Sequence, residues 1–147
     1  MSHMRSSTID AGPTGTPSVV VGWGVAVGLG SAALPAVLLW LPPNTVYAVS
    51  LAVIAAIYVG FAVADGRTHV LAVESIVATG FVVLAGVALN DITSSTWLVA
   101  AGLVLHGAKD LWQHRTQFVR NTRWWPPFCV AVDWTAALCL AGVAVLD

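Results

Sequence analysis

Five apolar runs of membrane-crossing length, joined by short polar breaks, constrain this chain more than any other feature. A helix needs roughly 20 largely apolar residues to cover about 30 Å of hydrocarbon at 1.5 Å per residue. The runs extend roughly from Val19 to Leu41, Thr45 to Ala64, His69 to Leu89, Thr96 to His114 and Pro127 to Leu146. They lack the alternating polarity of β-barrel strands. The first three breaks, Pro42-Pro43-Asn44, Asp65-Gly66-Arg67-Thr68 and Asn90 to Ser95, read as tight turns, so successive helices are expected to pack antiparallel. The fourth, Arg115 to Pro126, is longer, basic and aromatic, as suits a segment in the headgroup layer. The expected fold class is all-α: one transmembrane domain over 18–147 forming a five-helix bundle, preceded by a tail over 1–17.

That tail is rich in Ser, Thr, Gly and Pro and shows no hydrophobic periodicity, so disorder is expected there. Met1-Ser2-His3-Met4 is set aside as a vector-type leader. A cleaved signal peptide is the rival reading, since Ala32 and Ala33 follow an apolar run. Against it, Arg5 is the sole preceding basic residue and the run continues past Pro35.

Composition agrees with the spans. Of the 147 residues, 58% are apolar and 9% charged, with a mean hydropathy of +0.84, whereas an ordinary soluble domain carries about 25% charged residues. Six Lys and Arg against seven Asp and Glu leave a net charge of -1. A nucleic-acid binder, a disordered chain and a disulfide-rich module are therefore excluded, and the bilayer is the expected partner. With five spans, Arg5, Arg67, Arg115, Arg120 and Arg123 all fall on the side of the N-terminus. The positive-inside rule makes that side cytoplasmic and puts the C-terminus outside. Trp40, Trp97, Trp124 and Trp125 lie at span ends, where indole rings anchor at the interface.

Ionisable residues inside the spans need a reason. Left unpaired in lipid, Glu74, Lys109, Asp110 and Asp133 would together cost about 10 to 14 kcal/mol. Counted along antiparallel helices, the three carboxylates come to one depth, about 8 to 10 Å from the cytoplasmic ends. His106, Asp110 and His114 follow at i, i+4 and i+8 on a slowly drifting stripe with Lys109 beside it. Asp65 and His114 are expected at the mouth, and Tyr58 shares a face with Asp65. Lys109 is expected to pair with Asp110, Glu74 or Asp133.

Three functions compete for these residues. In an acid–base site for a small lipophilic molecule, His106 exchanges protons while Asp110, Asp133 and Glu74 orient the ligand or stabilise charge, with Tyr58, Asp65, Lys109 and His114 at the rim. In a divalent-metal site, His106, Asp110 and His114 are the ligands, joined by Glu74 or Asp133. In an ion or proton-coupled transporter the same groups relay the ion. The bland alternative is a network that only fixes helix packing. The chain lacks the His-Glu-x-x-His pattern of metalloproteases, phosphate-cradling loops and nucleotide fingerprints, and a channel would require oligomerisation.

Cys129 and Cys139 sit on one helix without a Cys-x-x-Cys pair and read as packing residues. Gly24 and Gly28 form a small-xxx-small step that serves either an intramolecular contact or a homo-oligomer through the first span. Finally, Gly60-Phe61-Ala62-Val63-Ala64-Asp65-Gly66-Arg67, His106-Gly107-Ala108-Lys109-Asp110-Leu111-Trp112-Gln113-His114, and Trp124-Trp125-Pro126-Pro127-Phe128-Cys129 with Asp133 occupy the last two thirds of the chain. This part resembles an uncharacterised family of small bacterial polytopic membrane proteins. The resemblance implies a bacterial inner-membrane protein and no particular activity.

Overall fold

A computed structural model describes residues 17–31, 43–90, 95–120 and 122–146. All the regular structure among them is helical: α1 (Pro17–Ser31), α2 (Pro43–Asp65), α3 (Thr68–Asn90), α4 (Ser95–Thr116) and α5 (Trp125–Leu146). The last four lie within about two residues of the runs read from the sequence. Of the first run the structure describes α1 alone, and residues 32–42, including Pro35 and Trp40, lie outside the described residues, as does the tail over 1–16.

Local chemistry sets the helix ends. Proline opens α2, where its missing N–H costs nothing and its fixed φ suits the first turn. Gly66, at φ 78°, takes the left-handed position after α2, and its N–H donates to the carbonyls of Ala62 and Val63 at 3.3 and 3.2 Å. Only Gly66 and Arg67 separate α2 from α3, so the two pack as an antiparallel hairpin. Gln117 adopts φ 50° where α4 stops. Pro126 and Pro127 are tolerated in α5 because they fall in its first turn.

Helix α4 lies against α2, α3 and α5, and α1 packs along the far side of α5. The α1–α5 contact uses the glycine pair: a Cβ on Gly24 would meet the Phe128 carbonyl oxygen at 2.6 Å, and one on Gly28 would meet Thr135 Cβ at 2.8 Å. The small-xxx-small step is thus spent within the chain. At one end of the bundle Asn44 ties α2 to α4, donating to Ser95 Oγ at 2.6 Å and accepting from Thr96 Oγ1 at 3.0 Å.

Among the described residues three helical segments are long and apolar enough to cross a membrane: Asn44–Asp65, Thr68–Asn90 and Trp125–Leu146. Helix α4 has the length, but its ionisable residues lower its hydropathy, and the described part of the first run is too short. The outward faces carry large apolar side chains throughout, with Ile76 72% and Leu138 74% exposed. Such a surface suits lipid contact and would be an aggregation hazard in water.

Candidate functional site

The buried interior is layered. One apolar layer contains Tyr47, Leu51, Ala85, Val99, Leu103 and Leu140. A second, toward the α2–α3 and α4–α5 connections, contains Tyr58, Ala62, Val70 and Val119. Between them lies a layer of polar side chains drawn from α3, α4 and α5: Glu74, His106, Asp110, Gln113 and Asp133 are all buried. Counting helical rise, Glu74 and Asp110 both lie about 9 Å and Asp133 about 12 Å from the helix ends on the side of those connections. Glu74 and Asp110 thus fall within the 8 to 10 Å expected from the sequence, whereas Asp133 lies somewhat deeper because its helix begins two residues before the expected span.

The layer divides into two groups. In the first, Lys109 Nζ lies 2.8 Å from Glu74 Oε2 and 3.3 Å from the centroid of the Tyr58 ring, a cation–π contact. Gln113 donates its side-chain amide to the other Glu74 oxygen. One Glu74 oxygen thus accepts a hydrogen bond and the other lies in ion-pair contact with Lys109, whose charge is met by a carboxylate on one side and a ring face on another.

In the second group, His106 Nδ1 lies 2.8 Å from Asp133 Oδ2 and 3.5 Å from Asp110 Oδ2. One ligand atom from each of the three residues falls within 4.8 Å of the others. His106 is enclosed by Phe81 and Tyr58, with ring centroids at 5.0 and 6.0 Å. Asp110 is fully buried with the Tyr58 hydroxyl and the Cys129 thiol beside its carboxyl, yet among the described residues neither of its oxygens, nor His106 Nε2, has a hydrogen bond of complete geometry. Native interiors rarely leave such atoms unsatisfied.

Charge separates the groups further. Glu74 and Lys109 cancel. Asp110 and Asp133 share one imidazole, so with both carboxylates ionised the second group carries net negative charge even when His106 is protonated. Burying a charge without compensation is costly. The second group is therefore suited to accept a cation, either a proton or a metal ion.

The structure brings together Tyr58, Glu74, His106, Lys109, Asp110 and Asp133. Two residues expected at the rim stand elsewhere. His114 is exposed and is absent from the set of clustered ligand atoms. Its two four-residue steps from His106 accumulate about 80° of rotation and about 12 Å of rise. The third position beside His106 and Asp110 belongs to Asp133.

Asp65 is occupied by a clasp between the two connections. It accepts from Arg67 Nε at 2.5 Å, Arg67 Nη2 at 2.8 Å and the Arg120 backbone N–H at 2.7 Å. Arg67 Nη2 also donates to the Phe118 carbonyl at 2.6 Å. Hydrogen bonding to Asp65 raises the Arg67 pKa, keeping that clasp charged.

Gln113 and Cys129 adjoin the cluster without having been expected there. Both carried a signal, since Gln113 is four residues after Lys109 and Cys129 four residues before Asp133. Trp124 is exposed at the interface end, whereas Trp125 packs inward on Phe61, with centroids at 5.5 Å. Two open apolar grooves lie on outer faces. The larger, about 460 Å³, runs between α4 and α5 past Trp97, Val104, Trp134 and Leu138, and neither groove is lined by a member of the polar layer.

Comparisons with protein-family models, curated proteins and solved structures find no match for this chain.

Proposed function

We propose that this chain is a bacterial inner-membrane protein of five spans, with a cytoplasmic N-terminus and an external C-terminus, that binds a divalent metal ion near the cytoplasmic leaflet. The observation that carries the reading is the His106–Asp110–Asp133 group. It is buried, short of positive charge, and has donor atoms at spacings a single ion bridges. Ligand bonds of about 2.0 to 2.2 Å in tetrahedral geometry put neighbouring donors roughly 3.3 to 3.6 Å apart. The 3.5 Å from His106 Nδ1 to Asp110 Oδ2 matches that spacing, and the 2.8 Å hydrogen-bond contact with Asp133 Oδ2 would open by several tenths of an ångström to admit the ion.

Elemental analysis of detergent-purified protein, prepared without chelator, tests the metal. The expected result is a single transition-metal ion per chain in the parent and none in a folded His106→Ala/Asp110→Ala variant. A parent that is metal-free, and stays so after incubation with zinc, overturns this reading. It would shift weight to a second one, acid–base or proton-relay chemistry, which the His106–Asp133 hydrogen bond favours.

Topology has its own check. A cysteine appended to the C-terminus is expected to react with a membrane-impermeant maleimide on intact cells, with the parent as the background control. Labelling that appears only after lysis would overturn the five-span arrangement.

A further inference from the structure

The helices that build the cluster each offer one further regularity. On α4, His106 and Asp110 stand at i and i+4, and on α5 Cys129 and Asp133 do the same, so each pair occupies one helix face. Helices α4 and α5 pack on one another, and the Asp133 carboxylate meets His106 across that contact at 2.8 Å. Cys129 is buried at 5% exposure and its thiol lies within electrostatic reach of both Asp110 and Asp133. The thiol lies beside the Asp110 carboxyl, in a geometry short of a complete hydrogen bond. The thiol stands outside the group of three whose donor atoms fall within 4.8 Å. Staggered side-chain rotamers give a helical cysteine more than one Sγ position from the same backbone.

Resting on the metal reading above, we propose that Cys129 is a fourth ligand, so that His106, Asp110, Cys129 and Asp133 form a closed, thiolate-bearing site for a zinc-class divalent cation. Two facing i, i+4 pairs supply four donors without help from a loop. Coordination replaces the S–H bond by a metal–sulfur bond and releases the thiol proton to solvent. A thiolate favours zinc-class ions over magnesium, calcium and manganese, which prefer all-oxygen shells. Four protein ligands also fill a tetrahedral shell and leave no position for an activated water, so the site would hold its ion and not use it for hydrolysis. Lys109 does not oppose the ion, because Glu74 and the Tyr58 ring already take up its charge.

Cobalt(II) tests the assignment, because thiolate ligation gives a near-ultraviolet charge-transfer band that oxygen and nitrogen ligands do not. The full chain in detergent, stripped of metal by dialysis against a chelator, is titrated with cobalt(II) and bound metal is measured in parallel. Expected are a charge-transfer band in the parent, its loss in Cys129→Ser with cobalt still bound, and its retention in Cys139→Ser. Affinity in Cys129→Ser should fall by more than the roughly 10- to 100-fold typical of losing an outer-shell partner. Cobalt bound without the band, or a band that survives Cys129→Ser, would overturn the thiolate ligand and leave the three-residue site standing. A parent that binds no cobalt would overturn both.

Discussion

Lys109→Met is expected to destabilise the protein by about 3 to 5 kcal/mol, because it strands a buried carboxylate. Glu74 is only 1% exposed at its side chain and has Lys109 Nζ 2.8 Å away. Methionine keeps most of the lysine stem but ends one atom short of Nζ, so the charge and its contact with the Tyr58 ring are lost together. The companion variant Glu74→Gln/Lys109→Met should regain most of the loss. In that variant the carbonyl of the introduced glutamine can still accept from the Gln113 amide, and neither member of the pair is charged. Equilibrium unfolding in mixed micelles checks both. A single variant as stable as the parent would mean the pair contributes nothing, and an unrescued double variant would mean that packing of the lysine stem dominates.

The second large effect is steric. Gly28→Leu is expected to cost about 1 to 3 kcal/mol or more, since overpacking cannot be relieved where the obstacle is backbone. Its Cβ would lie 2.9 Å from the Val132 carbonyl oxygen as well as 2.8 Å from Thr135 Cβ. Gly24→Leu should behave alike, with the Phe128 carbonyl oxygen 2.6 Å away. Gly22 and Gly30 on the same helix meet nothing within 4 Å and supply the control. Alanine there should be neutral or slightly stabilising, because glycine is the poorer helix former by about 1 kcal/mol. Unfolding in mixed micelles reads all four, and equal losses at Gly22 and Gly28 would contradict the α1–α5 contact.

These two results bear on different degrees of legibility. The ends of α2 to α5 were readable because each apolar run is cut by residues with a local reason to stop a helix, such as Gly66 after Asp65 or Pro126 and Pro127 before the α5 interior. The far end of the first run falls in residues 32–42, outside the described residues, so its boundary has no counterpart to compare. Depth was legible too. A fixed rise per residue brings Glu74, Asp110 and Asp133 to neighbouring levels whatever the packing.

Rotation was not legible, because it depends on which helix faces which. Lys109 had three carboxylates within reach of the argument and pairs with Glu74, since α3 and α4 turn those faces together. His114 continues the His106–Asp110 stripe on paper, but the drift of that stripe carries it out of the interior. Asp65 shares a face with Tyr58, yet the left-handed turn at Gly66 brings Arg67 back onto it and commits the carboxylate to the clasp. Cys129 illustrates the same limit from the other side. A cysteine with no Cys-x-x-Cys partner carries little meaning by itself, and only the packing of α5 on α4 sets it beside Asp110.

The floor of Ala62, Val70 and Val119 beneath the polar layer has a kinetic consequence. Val119 belongs to the connection after α4, and its neighbours Phe118 and Arg120 are held to Asp65 and Arg67. An ion or proton passing between that side of the bundle and His106 would cross this floor, and parting it would strain the clasp that holds Phe118 and Arg120 in place. On the proposed metal reading, the clasp would then set how fast the cluster fills and empties, while His106, Asp110 and Asp133 would set how tightly it holds.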